Sequence, residues 1–161
     1  DKDAIVATMA LCEAAAYYKT QGKTLWDAMI EMYEQFGYYK DAIQSVTMKG
    51  IEGLQKIQEI MNSLRQNPPA EFAGHKVVAV RDYKADTITD VATGAVKPTG
   101  LPNSNVLYYE LTDDAWVCVR PSGTEPKVKF YYGVKGTSLA DADEKSDIMG
   151  KAVLDMVDSM K

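Results

Sequence analysis

The sequence predicts an α+β fold, in which a helical segment precedes a four-stranded, mainly antiparallel sheet with two helices on one face. Three observations support this class. Apolar residues recur at helical spacing through two segments before residue 37. Four β-rich runs lie between residues 76 and 134, separated by polar turns and loops. One further helical segment precedes these runs and another follows them, which is the pattern of an α+β layer.

The helical segment contains two predicted helices. An apolar stripe predicts a first helix over residues 3–19. Thr24 is a good N-cap residue, and Asp27 follows it by three positions, so a second helix is predicted over residues 25–36. Gly37 suits its C-terminal end. The apolar stripes of both helices need a cover, and we expect part of this surface to be exposed in the chain alone.

A domain boundary is predicted near Lys49, because residues 38–48 have the composition of a connector with some β-like residues. The predicted domains are therefore residues 1–48 and 49–161. A helix over residues 51–64 opens the second domain, and Ser138 caps a helix that closes it. The predicted strands are 76–83, 105–111, 115–119 and 128–134, with a short additional strand over 87–91.

A polar loop at residues 120–127 joins the last two of the four strands. Arg120 offers a planar fork of donors that can meet two phosphate oxygens, and Ser122 and Thr124 each add a hydroxyl. Gly123 leaves the backbone N–H groups accessible, as in the nests that bind oxyanions. The loop lacks the second glycine and the following helix of a nucleotide-binding P-loop. On composition alone it is either an anion site or an ordinary polar turn.

Several other residues of the chain have two interpretations. Glu125 and Lys127 flank the loop and either support the anion site or only aid solubility. His75, the single histidine, is expected to be an exposed residue rather than a general base. Cys118 is expected to be an inert core thiol, because its neighbours are apolar. The acidic residues around Asp141 are expected to favour the helix N-terminus rather than to bind calcium.

The composition excludes several classes of function. A net charge of −5 without a basic stripe argues against a nucleic-acid partner. Two widely separated cysteines favour a reduced, cytoplasmic compartment over a disulfide scaffold. No apolar run approaches the length of a transmembrane helix, so no membrane partner is expected. A chain of 161 residues, 46% of them hydrophobic, is long enough for one good core.

The string Arg-Pro-Ser-Gly-Thr-Glu-Pro-Lys at residues 120–127 closely resembles a phosphate-binding loop. It is that of the C-terminal domain of the α-D-phosphohexomutases, the phosphoglucomutase and phosphomannomutase family. Residues 2–3, 22–25 and 33–39 resemble the end of that family's third domain. The resemblance implies that residues 1–48 are the last helices of domain 3. Residues 49–161 would be domain 4, which has a fold like that of the TATA-binding protein without its nucleic-acid function.

The resemblance also implies a reaction for a longer parent protein. Such enzymes are isomerases in which a phosphoserine elsewhere in the parent donates its phosphoryl group to a hexose monophosphate. The bisphosphate intermediate reorients and the serine takes back the other phosphate, which interconverts hexose 1-phosphate and hexose 6-phosphate. Their phosphorylatable serine segment, their Asp-x-Asp-x-Asp-Arg loop for Mg²⁺ and their Gly-Glu-x-Ser sugar loop do not occur in these 161 residues. We therefore expect no catalytic residue, metal ligand or cofactor in this chain. Mg²⁺ would bind elsewhere in the parent, and the chain alone would be inactive.

Within that parent, the resemblance assigns the loop a binding role. Arg120, Ser122, Gly123 and Thr124 would hold the phosphate that is not reacting, on glucose or mannose phosphate, and the domain would close the cleft against the remaining domains. The loop string with the following Lys-Phe-Tyr favours the phosphoglucomutase branch. Two alternatives remain open from the residues. One is a stand-alone phospholigand-binding module without catalysis, and the other is a structural domain whose loop is only a turn.

Overall fold

The computed structural model describes residues 2–48, 50–123 and 125–160, except for the side chain of residue 51. Lys49 and Thr124 lie outside the described residues. The chain forms two compact units, Asp1–Tyr38 and Tyr39–Lys161. The elements are α1 (Ala4–Thr20), α2 (Leu25–Phe36), β1 (Tyr38–Thr47), α3 (Gly50–Gln66), β2 (Glu71–Phe72), β3 (His75–Asp82), β4 (Thr87–Asp90), β5 (Val96–Lys97), β6 (Leu107–Leu111), β7 (Trp116–Pro121), β8 (Lys127–Gly136) and α4 (Leu139–Ser159).

The first unit consists of the two predicted helices. Asp3 caps α1, because its Oδ1 accepts hydrogen bonds of 3.0 Å from the amides of residues 5 and 6. The predicted cap of α2 is present as a reciprocal pair. The Asp27 amide donates to the Thr24 hydroxyl at 3.1 Å, and the Thr24 amide donates to the Asp27 carboxylate at 2.7 Å.

The apolar side chains of the first unit are exposed. No residue of α1 or α2 that the structure describes is buried, and Ile5 is 75% exposed. Large exposed apolar residues of these helices include Val6, Met9, Leu11, Trp26, Met32 and Phe36. This is the uncovered surface that the sequence predicts for the helix pair.

The segment that we expected to be a connector is a strand. β1 lies at one edge of the sheet, hydrogen-bonded to β8. Its start lies beside the end of β8, where Lys135 contacts the Tyr39 ring, and just beyond its end the Met48 amide donates to the Pro126 carbonyl. The boundary between the two compact units therefore falls after Tyr38, at the first residue of this strand, whereas the predicted domain boundary near Lys49 falls after the strand. The placement of the boundary between domains 3 and 4 of the family near Lys49 stays a prediction.

The second unit is built on one sheet with the strand order β1-β8-β7-β6-β3-β4-β5, and β2 pairs with β3 outside this path. The four predicted strands correspond to β3, β6, β7 and β8. They are neighbours in the middle of the sheet and pair antiparallel. The predicted short strand is β4. The sheet is thus larger than the four predicted strands, by additions on both sides.

The hydrophobic core lies on one face of this sheet. Alternate residues of β6, β7 and β8 point into it, and α3 and α4 cover it together. The predicted α+β fold with two helices on one face is therefore confirmed. The residues of this core include Ile60, Met61, Leu64, Leu107, Tyr109, Val117, Val119, Val128, Phe130, Met149, Val153 and Val157.

The opposite face of the sheet carries polar and aromatic side chains. Arg81 pairs with Glu110 at 2.6 Å and stands over the Tyr108 ring. Tyr108 in turn stacks on Trp116, with ring centroids 5.5 Å apart. These side chains are half-buried. None of the described helices is long and apolar enough to span a membrane.

Candidate functional site

The loop at residues 120–127 is the connection of the β7–β8 hairpin. Backbone hydrogen bonds close it, because the Ser122 amide donates to the Lys127 carbonyl at 2.8 Å and the Lys127 amide donates to the Glu125 carbonyl at 2.7 Å. The Ser122 hydroxyl accepts from the Glu125 amide at 3.3 Å. The described part of the loop is therefore held by its own backbone and by the Ser122 side chain.

A second anchor holds the loop from outside. The Met48 amide, at the end of β1, donates to the Pro126 carbonyl at 2.9 Å. Met48 itself is buried. The loop is thus held through Pro126 to the segment between β1 and α3, as well as by the two strands that it joins.

Arg120 lies at the start of the loop and is exposed. It alternates with the core residue Val119, so its side chain belongs to the face of the sheet opposite the core. It forms no ion pair with any other residue that the structure describes. The guanidinium is accordingly not committed to an internal carboxylate, which is the condition for binding an anion there.

Lys129 is a residue that the sequence-based prediction of the site missed. It is the direct partner of Arg120 in the β7–β8 register, so both side chains project from the same face. Directly opposed Cβ atoms of an antiparallel pair lie about 4.5–5.5 Å apart. Two cations therefore stand side by side next to the loop. Alternation places Lys129 off the core, but its pairing with Arg120 depends on the hairpin register.

The other predicted contacts divide into three cases. The Ser122 amide is already bonded within the loop, so the predicted nest does not include it. Gly123 borders open space, since a Cβ built on it meets no atom within 4 Å and its φ is outside the left-handed region. The glycine thus leaves a clear approach, although the conformation of the loop does not require it. Thr124 is outside the described residues.

Glu125 and Lys127 form an ion pair of 3.1 Å within the loop. Both side chains are partly exposed, so the pair contributes little to stability. Its effect on the site is that the two charges offset each other. The net positive charge beside the loop therefore comes from Arg120 and Lys129.

Cys118 corrects one expectation. It lies on the open face of the sheet, which is the face opposite the core, and is half-buried between its register partners Tyr108 and Tyr131. Its neighbours along the strand, Val117 and Val119, point the other way into the core. Burial raises the pKa of the Cys118 thiol, and the charge of Arg120 acts in the opposite direction. The thiol is expected to react slowly, as predicted, but for a different structural reason.

Alkylation with iodoacetamide at pH 7.5 should therefore modify the exposed Cys12 before Cys118. We expect Cys118 to react more slowly, because its raised pKa lowers the thiolate fraction and burial adds a steric barrier. Peptide mass spectrometry would measure the two rates. A Cys118→Ser control should leave the fast reaction unchanged, and unfolding in guanidinium should bring the two rates together. Equal rates in the folded chain would contradict this assignment.

The remaining titratable candidates have structural partners. His75 is not the freely exposed histidine that we expected: it is half-buried, and its Nδ1 lies 3.1 Å from the Asp113 carboxylate. Asp141 accepts from the Thr137 amide at 2.7 Å, and this bond, with Lys145, lowers its pKa. No three His, Cys, Asp or Glu side chains among the described residues come together in a way that could hold a metal ion.

Comparisons with known proteins agree with this geometry. The family model described as "Phosphoglucomutase/phosphomannomutase, C-terminal domain" matches residues 55–151. Phosphoglucomutases from Staphylococcus aureus strains bovine RF122 / ET3-1 and MRSA252 are 37% and 36% identical to the chain over 149 residues. This covers 92% of the chain but 27% of each relative, so the chain spans about a quarter of their length.

A solved structure shows the same fold. It is the open form of pp63/parafusin, a phosphoglucomutase from Paramecium, with a TM-score of 0.56 and 15% identity. The match covers 99% of this chain and 27% of that one. Together with the match to the family model, these findings show that the chain belongs to the phosphoglucomutase and phosphomannomutase family and corresponds to its C-terminal region.

Proposed function

We propose that this chain holds the phosphate group that is not reacting, in a phosphohexomutase that interconverts hexose 1-phosphate and hexose 6-phosphate. The observation that carries the proposal is the pair of neighbouring cations beside the loop, Arg120 and Lys129. Arg120 supplies a fork of donors for two phosphate oxygens, and Lys129 supplies a point charge. Ser122 and Thr124 add hydroxyls, and Gly123 leaves room for the phosphate to approach.

A site of this kind suits a mutase because it reads the phosphate and not the sugar. The two ends of a bisphosphate intermediate are alike as dianions, so one site accepts either end. Fixed binding of the remote phosphate orients the sugar for transfer at the other end. Closure of the domain against the rest of the parent would keep water from the phosphoryl group.

The chemistry itself is assigned to the remaining domains of the parent, which are the chain's partners in this proposal. Mg²⁺ would assist phosphoryl transfer there, as the resemblance to the family implies. The substrate is proposed to be glucose phosphate, since the relatives are named phosphoglucomutases. A reduced compartment such as the cytoplasm suits the two free cysteines.

Titration of the ¹⁵N-labelled chain with glucose 6-phosphate tests the binding role. We expect the amides of Arg120 and Gly123 and the Arg120 Nε–H to shift, with a Kd on the order of millimolar for one domain of a larger site. Unphosphorylated glucose is the control and should cause no shift, whereas inorganic phosphate should shift the same signals. Absence of any shift at concentrations of roughly 50 mM would reject the site.

A further inference from the structure

We propose that Gly53 is a positioning residue for the phosphate loop, acting through the backbone of Met48. The proposal rests on the binding role described above. Gly53 is buried in the first turns of α3, and it does not touch the loop. It sets how closely the helix approaches the end of β1, and the end of β1 holds the loop.

The space at Gly53 is smaller than any side chain. A Cβ built on this residue would lie 2.2 Å from the Met48 carbonyl oxygen and 2.5 Å from the Met48 carbonyl carbon. These are backbone atoms, so no rotamer change relieves the contact. Glycine in a helix interior costs about 1 kcal/mol relative to alanine. The close approach to Met48 gives a physical reason for glycine at this position.

Met48 connects this close approach to the loop. Its amide donates to the Pro126 carbonyl at 2.9 Å, and Pro126 lies between the two residues of the Glu125–Lys127 ion pair. The Lys127 carbonyl then accepts from the Ser122 amide at 2.8 Å. A displacement of the Met48 backbone would therefore be passed through these two hydrogen bonds to the part of the loop that faces the phosphate.

The expected consequence is a loop that is fixed before the ligand binds. A phosphate then orders fewer groups on binding, which improves its affinity. The support comes from the corner between β1 and α3 rather than from the loop sequence itself. The loop residues that bear on the ligand and the residue that fixes them thus lie about 70 positions apart in the sequence.

The test is Gly53→Ala, with Gly136→Ala as the matched control. Gly136 is also too tight for a side chain, since a Cβ there would lie 2.5 Å from the Ala142 amide nitrogen, but it lies at the far end of β8 from the loop. We expect both substitutions to lower the melting temperature. Only Gly53→Ala should shift the Gly123 and Glu125 amide signals of the ligand-free chain. It should also weaken glucose 6-phosphate binding about fivefold or more.

Unmoved loop signals and unchanged affinity in a folded Gly53→Ala protein would overturn the proposal, as would equal effects from both substitutions. If Gly53→Ala prevents folding, hydrogen exchange in the unsubstituted chain tests whether Met48 and the loop are coupled. Saturating glucose 6-phosphate should then slow exchange of the Met48 amide, because coupling between two sites is reciprocal. Unaltered exchange of the Met48 amide at saturating glucose 6-phosphate would contradict the proposal. Shifted loop signals in Gly53→Ala, with no phosphate binding by the unsubstituted chain, would reject the binding role and leave the positioning role supported.

Discussion

Replacing Arg120 with alanine is expected to weaken glucose 6-phosphate binding by roughly 10- to 150-fold. This corresponds to about 1.5–3 kcal/mol, the range for a hydrogen bond to a charged group. Arg120 is exposed and forms no ion pair with another described residue, so its loss leaves no buried charge behind and should not unfold the chain. The titration followed by amide shifts would measure the change, and thermal melting would verify folding.

Arg81→Ala is the matched control for that experiment. Arg81 is an arginine on the same face of the sheet, but Glu110 engages it at 2.6 Å. We expect its removal to leave phosphate affinity unchanged within about twofold, because Glu110 neutralises it and its strand is two strands away from β7. Lys129→Ala should weaken binding by less than Arg120→Ala, since lysine offers a point charge rather than a fork. Equal losses from Arg81→Ala and Arg120→Ala would mean that general electrostatics, and not a site, binds the ligand.

Phe130→Ala is expected to cost about 3–5 kcal/mol of the free energy of unfolding of the second unit. Phe130 is 0% exposed in β8, where it packs between the sheet and the helices. Removal of its ring leaves a cavity that close packing cannot fill. Urea unfolding followed by Trp116 fluorescence would measure the loss, in a Trp26→Phe background so that only the second unit reports.

The adjacent residue provides the comparison. Tyr131 lies on the open face, half-buried, so Tyr131→Ala removes a ring of similar size without opening the core. We expect a loss of less than about 1.5 kcal/mol from it. Equal losses at the two positions would contradict the assignment of the core to one face of the sheet.

The elements that could be predicted are those whose capping residues or apolar pattern are visible in the sequence of the element itself. Thr24 and Asp27 form a capping box within four residues, so nothing distant was needed to place α2. Strong apolar alternation made the four central strands visible. β1 was not predicted as a strand because its apolar alternation is weak. Ala42 and Val46 pack against the core, whereas Ile43 is exposed. An edge strand is stabilised by hydrogen bonds to its neighbour, which leave little trace in composition.

The candidate site shows the same limit. The motif around Arg120 could be read directly, because a loop of contiguous residues carries its chemistry in its own string. Lys129 could not be read as part of the site, since its place beside Arg120 follows from the hairpin register. Likewise, Cys118 looked like a core residue from its apolar neighbours, although alternation turns it to the other face. Sequence identified the chemical groups, and pairing between strands decided which of them meet.

The position of β1 has a consequence for how this domain can be separated from its surroundings. The match to the family begins at residue 55, after β1 has ended. A protein trimmed to start there would lose the strand that pairs with β8, and the row of backbone donors and acceptors along that edge of β8 would be vacant. Such rows recruit strands from other molecules and promote aggregation. Residues 38–47 therefore protect this edge of the sheet, and a shortened protein should retain them to avoid aggregation.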